Sequence, residues 1–180
     1  GTGVGGGLIL NNNVYHGTSD FAGEVGHMVI VPGGRPCTCG NNGCFEQYAS
    51  ATALIRQARK FVSRQVPSRL LDVPQEEITA KMVCDLAREG DAVCQMILWE
   101  ASRYIGLAMA NVANLLNLDL IIIGGGVSAA GDVLLSPVKL FIQKYTIPFI
   151  HDHLHVVLAQ HKNNAGIMGA AAMVYLGLEA

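Results

Sequence analysis

Four side chains able to bind a metal gather in one short stretch: His27, Cys37, Cys39 and Cys44. Three thiolates and an imidazole make an ordinary structural zinc set, because the ion prefers four tetrahedral ligands of these types. Gly40 and Gly43 lie between the cysteines and let a short loop fold back around an ion. The Cys-x-Cys, four-residue gap, Cys pattern is not a zinc-finger spacing. On spacing alone, three thiols beside an unrelated histidine remain an alternative. The expectation is a structural zinc on His27, Cys37, Cys39 and Cys44. Glu24 and Glu46 flank this loop. A carboxylate has two acceptor oxygens and so suits vicinal hydroxyls. A glutamate taken singly is usually a solvated surface residue, and it is the pair beside the cysteine loop that makes these two candidates.

Two glycine clusters could meet phosphate or a flat ring. Gly1-Thr2-Gly3-Val4-Gly5-Gly6 fits G-x-G-x-x-G. It fails as a dinucleotide fingerprint, since no strand precedes it and a hairpin follows. No Lys-Ser or Lys-Thr closes it as a Walker loop. What remains is a turn whose backbone N–H groups face phosphate oxygens, with the Thr2 hydroxyl beside them, or else a glycine-rich strand edge. Gly124, Gly125 and Gly126 end the apolar run Leu120–Ile123. Ligands of open α/β sheets bind outside the carboxyl ends of strands, where glycine lets adenine approach the backbone. A plain strand-to-helix connection is the alternative there. Gly1, Thr2, Gly3, Gly124, Gly125 and Gly126 are the candidate nucleotide contacts. His151, His153 and His155 alternate, with His161 nearby. On a strand they would share one face and suggest a second metal, but Asp152 and its neighbours favour a solvated edge. Cys84 and Cys94 read as small buried hydrophobes.

The run Glu24-Val25-Gly26-His27, followed by Cys37-Thr-Cys-Gly-Asn-Asn-Gly-Cys44-Phe-Glu46, resembles the signature of the ROK family of sugar kinases and repressors. Gly1 to Gly6 resembles that family's second phosphate motif, and Ile123 to Gly126 its adenosine motif. The resemblance covers essentially the whole chain. It implies an α/β fold: residues 1–180 as the larger, C-terminal lobe of a two-lobed, actin-like and ribonuclease-H-like kinase, with a zinc-stabilised loop insertion and the N-terminal lobe lying outside this chain. It implies that Glu24 and Glu46 accept hydrogen bonds from sugar hydroxyls. His27 would bond the sugar with one ring nitrogen and zinc with the other. The reaction implied is transfer of the γ-phosphoryl of Mg-ATP to an aldohexose 6-hydroxyl, glucose first, with N-acetylglucosamine or N-acetylmannosamine as alternatives. The family's aspartate base belongs to an Asn-Asp segment ahead of Gly1, so no catalytic residue is expected in this chain. Asp20, near Glu24, reads as a turn residue. A homodimer is implied as well. Two further readings stay open: a sugar-responsive repressor with an N-terminal helix-turn-helix, and a non-catalytic zinc-bound sugar-binding module.

These residues need elements to hold them. Leu8-Ile9-Leu10 and Val14-Tyr15-His16 flank Asn11-Asn12-Asn13 and predict a hairpin. Met28–Val31 predicts a strand inside the loop-rich stretch from Thr18 to Glu46. A helix is predicted from about Ser50, a short one capped by Thr79, and a long one capped by Asp91 and running to about Leu116. Leu120–Ile123 reads as a buried strand. Ser136-Pro137 predicts the start of a helix to Tyr145, and Val156–Ala159 another strand. Asn164 predicts the cap of a last helix, Ala165 to Leu178. Strands alternating with helices late in the chain imply α/β layers.

The bulk composition agrees. Of 180 residues, 51% are hydrophobic and 14% charged, which excludes a disordered chain and hints at apolar surface meant for a partner. A net charge of −2 without a basic block argues against nucleic-acid binding, unless an upstream head supplies it. No apolar run reaches the roughly 18 residues of a membrane span. The chain opens on Gly1-Thr2-Gly3, with neither an initiator Met nor a charged segment and apolar h-region. The expectation is a sequence continuing upstream and no secretion signal. Five cysteines without such a signal suit a reducing compartment and a cytoplasmic protein.

Overall fold

The computed structural model describes residues 2–160 and 165–175. One long helix organises them. Helix α4 spans Ala92–Leu116, and Asp91 caps it by accepting the Cys94 N–H at 3.0 Å. It ends on Asn117 in the left-handed conformation, which asparagine tolerates. Against it pack α1 (Glu46–Ala49), α2 (Ala51–Ser63), α3 (Ala80–Arg88) and α5 (Asp132–Tyr145). Leu54 of α2, Val83 of α3, Leu98 of α4, and Leu134 and Val138 of α5 are fully buried between them. Helices α4 and α5 approach closely at Gly106, where an added Cβ would stand 2.3 Å from the Cβ of Phe141.

The helix starts predicted at Ser50 and Thr79 hold. The Ser50 hydroxyl accepts the Ala53 N–H at 3.2 Å to open α2, and Thr79 does the same for the Met82 N–H to open α3. The amino-terminal hairpin forms from β1 (Ile9–Leu10) and β2 (Asn13–Val14), turned by Asn11 and Asn12 at positive φ. Strands β3 (Leu120–Ile123) and β4 (His155–Leu158) pair in parallel on the helical layer, joined through α5 and the one-turn helix α6 (Pro148–His151).

Three expectations need correction. Met28–Val31 is not a strand. Only Val29 makes a single bridge, to Cys44, because the segment's N–H groups are spent on the tight loop. Strand β3 is not buried on both faces: Ile121 is covered by the helices while Ile122 is 61% exposed, since the described residues place a layer on one side only. Helix α5 starts at Asp132, so Pro137 lies inside it rather than at its first turn. A mid-helix proline removes one backbone bond; here Leu134 and Val138, both fully buried, outweigh that loss. The histidines form no shared strand face, in keeping with the solvated edge favoured for them: His151 ends α6, His153 lies in the connection and His155 opens β4, the last two exposed. Gly1, His161 and Asn164 lie outside the described residues, as does the end of the last helix beyond α7 (Ala165–Tyr175). Among the described residues, no helix is long and apolar enough to cross a membrane.

Candidate functional site

The cysteine loop is held by its own backbone. The Cys37 N–H bonds the Asn41 carbonyl at 2.8 Å, the Gly40 N–H bonds the Cys37 carbonyl at 3.1 Å, and the Gly43 N–H bonds the Arg35 carbonyl at 2.7 Å. Gly43 has φ +88°, and a Cβ on it would fall 1.8 Å from the Val31 carbonyl oxygen. Only glycine fits there. The fold-back brings the ligand atoms of His27, Cys37, Cys39 and Cys44 within 4.8 Å of one another. A tetrahedral zinc with bonds of about 2.3 Å to sulfur sets its ligand atoms roughly 3.8 Å apart. The Cys39 and Cys44 sulfurs are 3.5 Å apart, and Cys37 Sγ is 3.7 Å from His27 Nδ1. The four residues could hold such an ion with small adjustments.

Their protonation is tuned by one another. Contact with Cys37 raises the His27 pKa above its ordinary value. The backbone N–H of Asn41 lowers that of Cys39. Burial pushes the Cys44 thiol up to about 12. A metal entering here must displace thiol protons, so its binding is coupled to proton release.

The other ring nitrogen of His27 faces away from the sulfurs: Nε2 is 3.7 Å from Glu24 Oε2. Both residues sit at a short 3₁₀ turn, Val25–His27, with Glu24 preceding it. Glu46 opens α1 on the opposite side of Cys37, and its Oε1 accepts from Cys37 Sγ at 3.2 Å. Glu24, His27 and Glu46 therefore border one partly open surface beside the cysteine cluster.

The glycine-rich segment reaches the same place. A Cβ on Gly3 would meet Glu46 Oε2 at 2.6 Å, and one on Gly26 would meet the Val4 carbonyl oxygen at 1.9 Å. The Thr52 hydroxyl of α2 donates to the Thr2 carbonyl at 2.8 Å. Gly124, Gly125 and Gly126 lie across a cleft of about 450 Å³ from Gly3 to Gly7. The cleft floor is apolar, with Phe45, Met109 and Ile121 among its lining. The structure thus brings Gly3 and the triple glycine to one cleft, and Gly3 to the carboxylate of Glu46. Asp20 stands at positive φ in a turn, 3.8 Å from His16 Nδ1.

Sequence reasoning overlooked the residues behind Glu46. Arg35 and Arg56 both donate to the main-chain carbonyl of Gln47. Arg35 also lies over the Tyr48 ring, and its N–H donates to the Tyr48 hydroxyl. No spacing signal marks this group, because Arg56 arrives from a different helix.

The sequence model of the ROK family matches residues 1–176. The chain belongs to the ROK family. It is 43% identical to a glucokinase of Halalkalibacterium halodurans over 97% of this chain and 54% of that protein. It is 34% identical to a xylose repressor of Caldicellulosiruptor bescii over 97% of this chain and 44% of the repressor. Its fold matches the crystal structure of a ROK glucokinase from Streptomyces griseus in complex with glucose and AMPPNP, with a TM-score of 0.86 and 34% identity over 96% of this chain and 57% of that one. The chain spans about half the length of the curated ROK relatives it matches. The relatives of this likeness include both glucokinases and repressors, so membership fixes the fold and leaves the activity open.

Proposed function

We propose that this chain is the sugar-binding, C-terminal lobe of an ATP-dependent hexose kinase, with glucose the first candidate substrate. The observation that carries the reading is the meeting of Gly3 with Glu46. Phosphoryl transfer is chiefly positioning plus charge neutralisation, with reacting atoms about 3–3.5 Å apart. A phosphate-facing turn in contact with a hydroxyl-binding carboxylate suits that need.

In this reading Glu24, His27 and Glu46 bind sugar hydroxyls. Thr2 and Gly3, with Gly1, face the phosphates of Mg-ATP, and Gly124, Gly125 and Gly126 lie against its adenosine. His27, Cys37, Cys39 and Cys44 would hold a structural zinc, which fixes the His27 ring and so aims its free nitrogen. The base that accepts the sugar proton comes from sequence outside this chain. The Streptomyces griseus relative was crystallised with glucose and a nucleotide analogue, which supports both ligands. The protein is proposed to be a cytoplasmic homodimer.

The likeness to a xylose repressor supports a second reading, a sugar-responsive repressor using the same site. A coupled ATP/glucose assay on the full-length protein separates the two. Glucose-dependent ADP release is expected. No turnover with any hexose or N-acetylhexosamine, together with sugar-dependent DNA binding, would overturn the kinase reading in favour of the repressor.

A further inference from the structure

We infer that Arg56, acting through Gln47, positions Glu46 for its contact with a sugar hydroxyl. This rests on the sugar-site reading given above. A chain of polar contacts runs from α2 into α1. Arg56 Nη1 donates to Gln47 Oε1 at 3.4 Å, and Gln47 Nε2 donates to Glu46 Oε1 at 3.5 Å. The polarity of the chain has one consistent direction. A guanidinium can only donate, so the amide oxygen of Gln47 must face it. That leaves the amide NH₂ toward Glu46, and an ionised carboxylate can only accept.

The remaining contacts lock the relay in place. Arg56 and Arg35 share the Gln47 main-chain carbonyl, pinning the turn of helix that begins with Glu46. No carboxylate lies within ion-pair distance of either arginine among the described residues. Burial, then the nearby charge of Arg35, lower the Arg56 pKa, and its Nε is buried without a hydrogen-bond partner among the described residues. A guanidinium kept in so unfavourable a place, with its bonds directed at Gln47, is spent on orientation rather than on an ion pair. Glu46 then has Oε1 tied back to Gln47, which leaves Oε2 beside Gly3.

The test is glucose binding by calorimetry on the full-length protein, with metal content measured on each variant. Gln47→Glu still offers Arg56 an acceptor but can no longer donate to Glu46. It is expected to weaken glucose binding about tenfold at unchanged metal content. Arg56→Gln removes the other end of the relay and carries the same expectation if Gln47→Glu does not fold. Arg56→Lys keeps the charge but not the fork, and a smaller loss is expected. In turnover, the sugar KM should rise while the ATP KM stays put. Combined with Glu46→Gln, Gln47→Glu should cost less than about a further twofold, because the carboxylate it positions is gone. The relay is overturned if Glu46→Gln weakens glucose binding while Gln47→Glu and Arg56→Gln do not, or if the effects simply multiply. If Glu46→Gln itself binds glucose like the parent, the sugar-site reading falls and the relay with it.

Discussion

Cys39 is exposed, whereas Cys37 and Cys44 are buried. Its replacement is therefore the gentlest way to take one ligand from the proposed metal site. Zinc should be found by elemental analysis of the purified protein, and Cys39→Ser should lower it. Because metal binding supplies the folding energy of such loops, hydrogen exchange should then quicken from about His27 to Glu46. A protein that lacks zinc while this loop stays protected would overturn the metal assignment. Glu24 makes a different prediction. Its one ion-pair contact is with His27 Nε2, so Glu24→Ala should keep the metal yet weaken glucose binding about tenfold, the cost of losing one hydrogen bond to a charged group. Unchanged affinity in calorimetry would remove Glu24 from the sugar site.

Helix α4 depends on how it begins. Asp91 accepts from the Cys94 N–H, the Arg69 N–H at 2.9 Å and the Ser68 hydroxyl at 2.9 Å. Burial alone would raise its pKa, but these donors outweigh it and hold the carboxyl below its ordinary value. A lowered folded pKa means that the contribution is fully present above the unfolded value of about 3.9 and fades as pH falls through the folded one. Asp91→Ala should cost about 1 kcal/mol in urea unfolding at neutral pH. The difference from the parent should shrink below about pH 4. A gap that is constant with pH would show that the side chain acts by packing and not by its charge.

At the scale of the molecule, this chain alone should not phosphorylate sugar. Asp20 is tied into a turn with His16, and Asp85 and Asp91 are engaged with Lys81 and Arg88 or with the start of α4. Loss of a positioned base commonly costs about 10²–10⁴-fold. A coupled assay on residues 1–180 beside the full-length protein should show at least that drop; turnover within about tenfold would locate a base in this chain, with Asp20 tested first. Exposed apolar residues such as Met96, Trp99 and Phe149 fit the expected homodimer, which sedimentation of the full-length protein would contradict by giving a monomer.

The sequence by itself determined what is encoded over a few residues. Ser50, Thr79 and Asp91 cap their helices because a side-chain oxygen reaches an N–H three positions on. The clustering of His27 with the three cysteines was legible because residue type and glycine-made turns specify it locally. Tertiary packing decided the rest. Pro137 sits inside α5, since buried neighbours outweigh one lost backbone bond. Strand β3 shows one face to solvent because helices cover only the other. Gly3 meets Glu46, and Arg56 meets Gln47, only because α1 and α2 are docked together against α4. Such contacts depend on where whole helices lie, and no periodicity or spacing in the chain records that.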